Sequence, residues 1–175
     1  MKCEVCKAET AIKLAQRYHY TECGLDNVYL EGIDLRVCEA CGEASPRIPR
    51  INDLHATIGQ AVALQNVPLS GQETRFLRQH LGLKAKEWAA FLHVDTATLS
   101  RWENGGQAIG PQADSLMRLM YFYLLAEKQG RAIPENVADQ VAAVVTQRSD
   151  AMALLVNPHK PARYSYRLES ELAFA

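Results

Sequence analysis

The sequence predicts an α+β chain, a small β-rich module at the N-terminus followed by an all-α region with extra C-terminal helices. Three observations predict it. Four cysteines form two Cys-x-x-Cys pairs that bracket a stretch with strand-like residues and turn punctuation. From Leu81 to Gly105, apolar residues recur at spacings of three and four in two short runs separated by a few residues. From Pro111 onward, long apolar stretches again follow a helical period.

Length and composition bound the reading. A chain of 175 residues holds one domain of ordinary size or two to three small ones. Hydrophobic content of 48% with 22% charged residues is that of a globular protein. No apolar run approaches the ~18–20 residues that cross a bilayer, so no membrane partner is expected. Met1-Lys2-Cys3-Glu4 lacks the apolar core of a secretory signal, and the expected location is cytoplasmic. The net charge of −1 excludes binding of nucleic acid by bulk positive charge; a basic face would have to be built by placement.

The first module is expected over residues 1–47. Cys3/Cys6 and Cys38/Cys41 can each offer two thiolates to one tetrahedral Zn²⁺. The 31 residues between the pairs exceed the commonest ribbon spacing of about 15–20. An insert folded back as strands would close that distance. Tyr18-His19-Tyr20-Thr21, Val28-Tyr29-Leu30 and Ile33-Asp34-Leu35-Arg36-Val37 read as strands, punctuated by Gly24, Asp26-Asn27 and Gly32. So few aliphatic side chains cannot bury much core, and a metal would supply the missing stability. Structural disulfides do not suit a cytoplasmic chain, and a redox Cys-x-x-C pair is usually single. One structural zinc per chain is therefore expected on Cys3, Cys6, Cys38 and Cys41. Cys23 reads as a partly buried free thiol.

Residues 48–69 read as a connecting helix. Pro46 and Pro49 mark its start, Leu54, Ile58, Ala61, Val62 and Gln65 form its stripe, Asn52 is its expected cap and Pro68 its end. The α-helical domain is expected over 70–130. Ser70-Gly71-Gln72-Glu73 is a capping box that opens a helix with Phe76, Leu77 and Leu81 inward. Two helices follow, Lys84 to Leu92 with Trp88, Ala89 and Leu92 on one face, and Thr96 to Asn104 with Leu99 and Trp102 on one face. Asp95 is the expected N-cap of the second and Gly105 its end. Two helices joined by so short a turn form a helix-turn-helix, whose second helix enters the DNA major groove.

Residues 131–175 are expected to serve dimerisation or packing. The helix from Pro111 to about Lys128 is apolar on almost every side, through Leu116, Met117, Leu119, Met120, Phe122, Tyr123 and Leu124. Such a helix must be covered on both sides, one of them by a partner chain or by the helix expected over Glu135 to Arg148. Tyr164, Tyr166 and Leu168 alternate as in a strand.

These residues carry a resemblance. Leu81-Gly82-Leu83, Ala89 and Ser100-Arg101-Trp102-Glu103-Asn104-Gly105 resemble the phage-repressor (Cro/CI, or XRE) helix-turn-helix. With the two Cys-x-x-Cys pairs and the Tyr18 to Leu30 segment, residues 1 to about 128 resemble the YgiT-type zinc-finger proteins, whose best-known members are the MqsA antitoxins of type II toxin–antitoxin systems. The resemblance implies a zinc module that binds a toxin and a helix-turn-helix that binds the operon's own promoter as a dimer. It implies zinc ligands at Cys3, Cys6, Cys38 and Cys41, and an Arg78–Glu103 pair joining the first helix to the end of the recognition helix. Thr96, Ala97, Ser100 and Arg101 would meet base edges, Arg101 by forking onto guanine O6 and N7. Thr98, Asn104, Lys84 and Lys86 would reach phosphate. Lys84-Ala85 stands where the family often has Ser-Gln, and His93 stands where it usually has glycine at positive φ.

The expected function is therefore a sequence-specific DNA-binding regulator, an autoregulating MqsA-like antitoxin. Its expected partners are double-stranded, palindromic operator DNA, a second copy of the chain, and a cognate toxin protein. The alternatives are a stand-alone regulator or a protein-interaction adaptor without a toxin. No enzyme is expected, because the chain has no Ser/His/Asp or Cys/His pattern, no His-Glu-x-x-His and no phosphate loop.

Overall fold

In a computed structural model, residues 2–130, 132–133, 135–142, 153–157 and 165–169 are described. The fold is α+β, with an N-terminal sheet followed by helices. The described residues fall into two compact units. One holds residues 2–22 and 26–57 with two strands from the C-terminal region; the other holds Cys23–Leu25 and residues 58–142.

The sheet unit is built on β2 (Val28–Cys38), the longest strand. β1 (Thr10–His19) pairs antiparallel along one edge of it. The other edge is shared. β3 (Ala44–Pro46) pairs antiparallel with its C-terminal half, and β4 (Ala153–Asn157) runs parallel to its N-terminal half. β5 (Ser165–Glu169) adds antiparallel to β4. Gly32, expected as a turn, instead lies inside β2 at φ +69°. The β1–β2 register shifts twice between Lys13 and Arg17, once with an extra residue in β1 and once with Gly32 as the extra residue in β2. Each bulge needs a residue off the extended conformation, which Gly32 and Ala15 (φ +51°) provide. Val28, Leu30 and Ile33 are fully buried, whereas residues 11–17 of β1 are exposed throughout.

Helix α1 (Ile51–Leu64) starts one residue before Asn52, which therefore lies in the first turn rather than at the cap. Its first half belongs to the sheet unit and its second half to the helical unit. Leu54, Ile58, Ala61, Val62 and Gln65 are all buried.

The helical unit continues with α2 (Gly71–His80), α3 (Ala85–Phe91), α4 (Thr96–Glu103), α5 (Pro111–Gln129) and α6 (Val137–Ala142). Ser70 Oγ accepts from the Glu73 backbone N–H while Glu73 Oε2 accepts from that of Ser70, completing the capping box. Leu77, Trp88, Leu99, Met117 and Tyr121 have no exposed surface and form the core. Among the described residues, neither the Trp88 nor the Trp102 indole N–H has an acceptor.

A buried arginine ties this unit together. Arg118 on α5 is wholly buried and donates to the backbone carbonyls of Ala63 (3.1 Å), Gln65 (2.9 Å) and Val67 (2.6 Å). Those carbonyls lie at and beyond the last turn of α1, where a helix leaves acceptors unpaired. Asp114 Oδ2 accepts from Arg118 Nε at 2.7 Å, and Asp114 Oδ1 accepts from the Leu69 N–H at 2.6 Å. One ion pair thus satisfies the end of α1 and the chain that leads into α2.

The residues expected for dimerisation or packing divide. α6 packs with the helices, while β4 and β5 extend the sheet. A strand needs a ladder partner for its backbone groups, and the free N-terminal half of β2 offers one. Residues 143–148 of the helix expected to end at Arg148, and Tyr164, lie outside the described residues. Among the described residues no helix is long and apolar enough to cross a membrane.

Candidate metal centre and nucleic-acid interface

The two Cys-x-x-Cys segments adopt the same local structure. The Cys3 N–H donates to the Ala8 carbonyl, five residues on, and the Lys7 N–H donates back to the Cys3 carbonyl. The Cys38 N–H donates to the Glu43 carbonyl, also five residues on, and the Gly42 N–H donates back to Cys38. Both turns need positive φ at their fifth residue, +64° at Lys7 and +76° at Gly42. Each turn aims its two cysteines into one space.

The Sγ atoms of Cys3, Cys6, Cys38 and Cys41 all lie within 4.8 Å of one another. Cys3 and Cys41 are 3.7 Å apart, and Cys6 and Cys38 are 3.3 Å apart. A tetrahedron of sulfurs at about 2.3 Å from a central ion has an edge of about 3.8 Å. The donor set therefore fits a metal ion of that kind. The thiols shift in opposite directions: Cys38, at the end of β2, is lowered to about 7, first by the Cys41 backbone N–H and then by the Cys6 thiol, while Cys41 is lowered by the Glu43 backbone N–H but raised overall to about 12 by the Cys38 and Cys6 thiols, so Cys38 is the first of the two to ionise. Thiolate is the form that binds metal. Cys23 is buried and outside the cluster.

In the helical unit, α3 and α4 are joined by a turn in which His93 has φ +53°. That is a left-handed conformation strained for any residue but glycine. Asp95 caps α4, its Oδ1 accepting from the Thr98 N–H at 2.6 Å. Leu99 and Trp102 are buried, so Thr96, Ala97, Ser100 and Arg101 are presented to solvent.

The C-terminal end of α4 is pinned to α2. Arg78 grips Glu103 with two hydrogen bonds, Nε to Oε1 at 2.6 Å and Nη2 to Oε2 at 2.8 Å. Arg78 Nη1 also donates to the Leu83 carbonyl. Glu103 holds the Arg78 pKa above its ordinary value. Arg75, one turn earlier on α2, donates to the Glu103 carbonyl and to Asn104 Oδ1. Gly71 lets the start of α2 approach this end. A Cβ there would fall 2.9 Å from the Glu103 carbonyl oxygen and closer still to that of Trp102.

Two of the expected phosphate contacts have their hydrogen bonds committed within the chain. The Asn104 amide donates to the Ser100 carbonyl and hydroxyl, and its oxygen accepts from Arg75. The Thr98 hydroxyl donates to Asp95 Oδ2 and accepts from Arg101 Nη2. Lys84 and Lys86 are exposed at the start of α3, where the Lys84 N–H donates to Glu87 at 2.6 Å. Sequence reasoning missed Arg75, Gly71 and Arg118. The first was legible in the Arg75-x-x-Arg78 spacing, which places both guanidiniums on one face of α2. The other two depend on contacts between distant segments. The chain matches no family model, no curated protein and no solved structure.

Proposed function

We propose that the chain is a sequence-specific DNA-binding regulator with a structural zinc, acting as an autoregulating antitoxin of the MqsA type. The observation that carries the DNA reading is the polarity of α4. Leu99 and Trp102 are buried and Glu103 is clamped by Arg78, while Thr96, Ala97, Ser100 and Arg101 are left facing outward on a rigid support. A short helix held by its back and one end, with a free arginine-bearing face, suits insertion into a major groove as the second helix of a helix-turn-helix. Arg101 would read guanine, and Lys84 and Lys86 would approach the backbone.

Zinc is the metal we assign to the four-cysteine cluster, because an all-thiolate tetrahedron is a closed structural zinc site with no open position for water. A palindromic operator calls for a second copy of the chain. Leu119 and Tyr123, 40% and 52% exposed, support such an interface on α5, beside a groove of about 530 Å³ shared with α6.

Gel shift with DNA from immediately upstream of the coding sequence tests the reading. Wild type is expected to bind it in preference to unrelated duplex, and Arg101→Ala to lose that preference. Equal affinity of the wild type for both duplexes would leave the adaptor reading in its place. A toxin partner is tested by co-expression with the neighbouring reading frame and recovery of a stable complex.

A further inference from the structure

We infer that Thr98 is a positioning residue for Arg101: Asp95 fixes the Thr98 hydroxyl, whose oxygen then holds the Arg101 guanidinium on the exposed face of α4. The inference rests on the DNA-binding reading above and names the residue that orients its guanine contact.

The three side chains stand three residues apart, on one face of the helix. The Asp95 carboxylate can only accept, so the single Thr98 hydroxyl proton is directed to Asp95 Oδ2 at 2.9 Å. The oxygen of that hydroxyl is then left with lone pairs alone, and Arg101 Nη2 donates to it at 2.8 Å. The order of donors admits no other direction. Asp95 is itself anchored, because its other oxygen caps the Thr98 backbone N–H at 2.6 Å. The N-cap of α4 therefore serves as the fixed end of a tether to Arg101.

A free arginine must be ordered out of many rotamers before it can fork onto a base, and a tether reduces that cost. One of the five guanidinium N–H donors goes to Thr98, which leaves the pair needed for guanine O6 and N7. Thr98 is a poor phosphate ligand in this arrangement. Its proton is committed, and the carboxylate beside it repels an anion.

Thr98→Val is the informative change. Valine keeps the branched shape, and the Asp95 cap survives because it binds the backbone N–H. Wild type, Thr98→Val, Thr98→Ser and Arg101→Ala are titrated with the upstream duplex, in which each guanine is replaced in turn by 7-deazaguanine, which lacks the N7 acceptor. Wild type and Thr98→Ser are expected to lose about tenfold in affinity at one guanine, and Arg101→Ala to show no loss there. Thr98→Val is expected to show a loss below about threefold at that guanine, with unchanged melting temperature and unchanged binding to unrelated duplex. A full tenfold loss in Thr98→Val would overturn the inference. Failure of the wild type to bind the duplex would overturn the DNA reading instead. The tether is then judged in the free protein, by ¹⁵N relaxation of Arg101 Nε. Greater mobility in Thr98→Val than in wild type supports it, and equal mobility refutes it.

Discussion

The sheet unit and the helical unit solve the problem of stability in different ways. In the helical unit, side chains from α2 to α5 supply a core of their own: Leu77, Trp88, Leu99, Met117 and Tyr121 are fully buried, and Arg118 with Asp114 satisfies the backbone groups they enclose. In the sheet unit, β1 is exposed over residues 11–17, with Ile12 and Leu14 facing solvent. Val28, Leu30, Ile33 and Leu54 are buried in this unit, and its knuckles are shaped by short backbone turns that bring four sulfurs to where they could hold a metal ion. Apolar burial is spread over many residues and degrades gradually. A metal cluster concentrates its stabilisation in a few atoms and fails when one is removed.

The sharpest way to break this contrast is Cys38→Ser. Loading of the wild type with zinc is expected to give one ion per chain, and the variant to lose it, since structural zinc sites contribute roughly 10–16 kcal/mol in isolated fingers. Amide resonances of β1–β3 should collapse while the helical circular dichroism persists. Loss of both signals together would mean that the helices draw their stability from the metal too.

The helical counterpart is Arg118→Leu. It strands the Asp114 carboxylate and several buried carbonyls, and breaking a buried pair costs about 3–5 kcal/mol. Calorimetry should show the helical transition fall while metal content stays unchanged; a variant that melts like wild type would remove the clip from the account. Arg118→Lys, with fewer donors, should fall between the two.

Gly71→Ala drives a Cβ into the carbonyls at the end of α4, and overpacking of that kind costs about 1–3 kcal/mol. Urea denaturation would register the loss, and on the proposed DNA-binding reading the affinity for the upstream duplex should fall with it as α4 shifts. The smallest effect has the opposite sign. His93 is at φ +53°, so His93→Gly relieves strain and should raise the melting temperature by the equivalent of about 1 kcal/mol. An unchanged or lower value would show that contacts of the imidazole outweigh the strain.

Much of the helical unit was legible because its signals are local. The Ser70–Glu73 box, the Asp95 cap and the stripes of Trp88, Leu99 and Trp102 each occupy a few consecutive residues and repeat known periods. The four cysteines were legible for a related reason, since the Cys-x-x-Cys spacing fixes the chemistry of each half before the halves meet. The strands were read less well. Residues 10–17 gave no expectation because β1 has no buried face, and the alternation that marks a strand arises from burial on one side. Gly32 was read as a turn because a glycine at positive φ serves a turn and a bulge equally; only the pairing of Arg17 with Glu31 and Gln16 with Ile33 separates the two.

Local signals alone placed the starts of α2 and α4, the side chains that face inward on α2 to α4, and the four residues that offer sulfur. Those follow from propensity, period and spacing along a few turns of chain. Long-range contacts were needed to show that β4 joins β2 and carries β5 with it, that Arg118 closes the end of α1 and that Gly71 must stay small, and the folded α4 was needed to show that Thr98 is bound to Arg101 rather than free. The pairing, the clip and the close approach depend on groups brought together from distant parts of the chain. The tether depends on which of several possible donors and acceptors find each other once the backbone is in place, and no spacing rule encodes that choice.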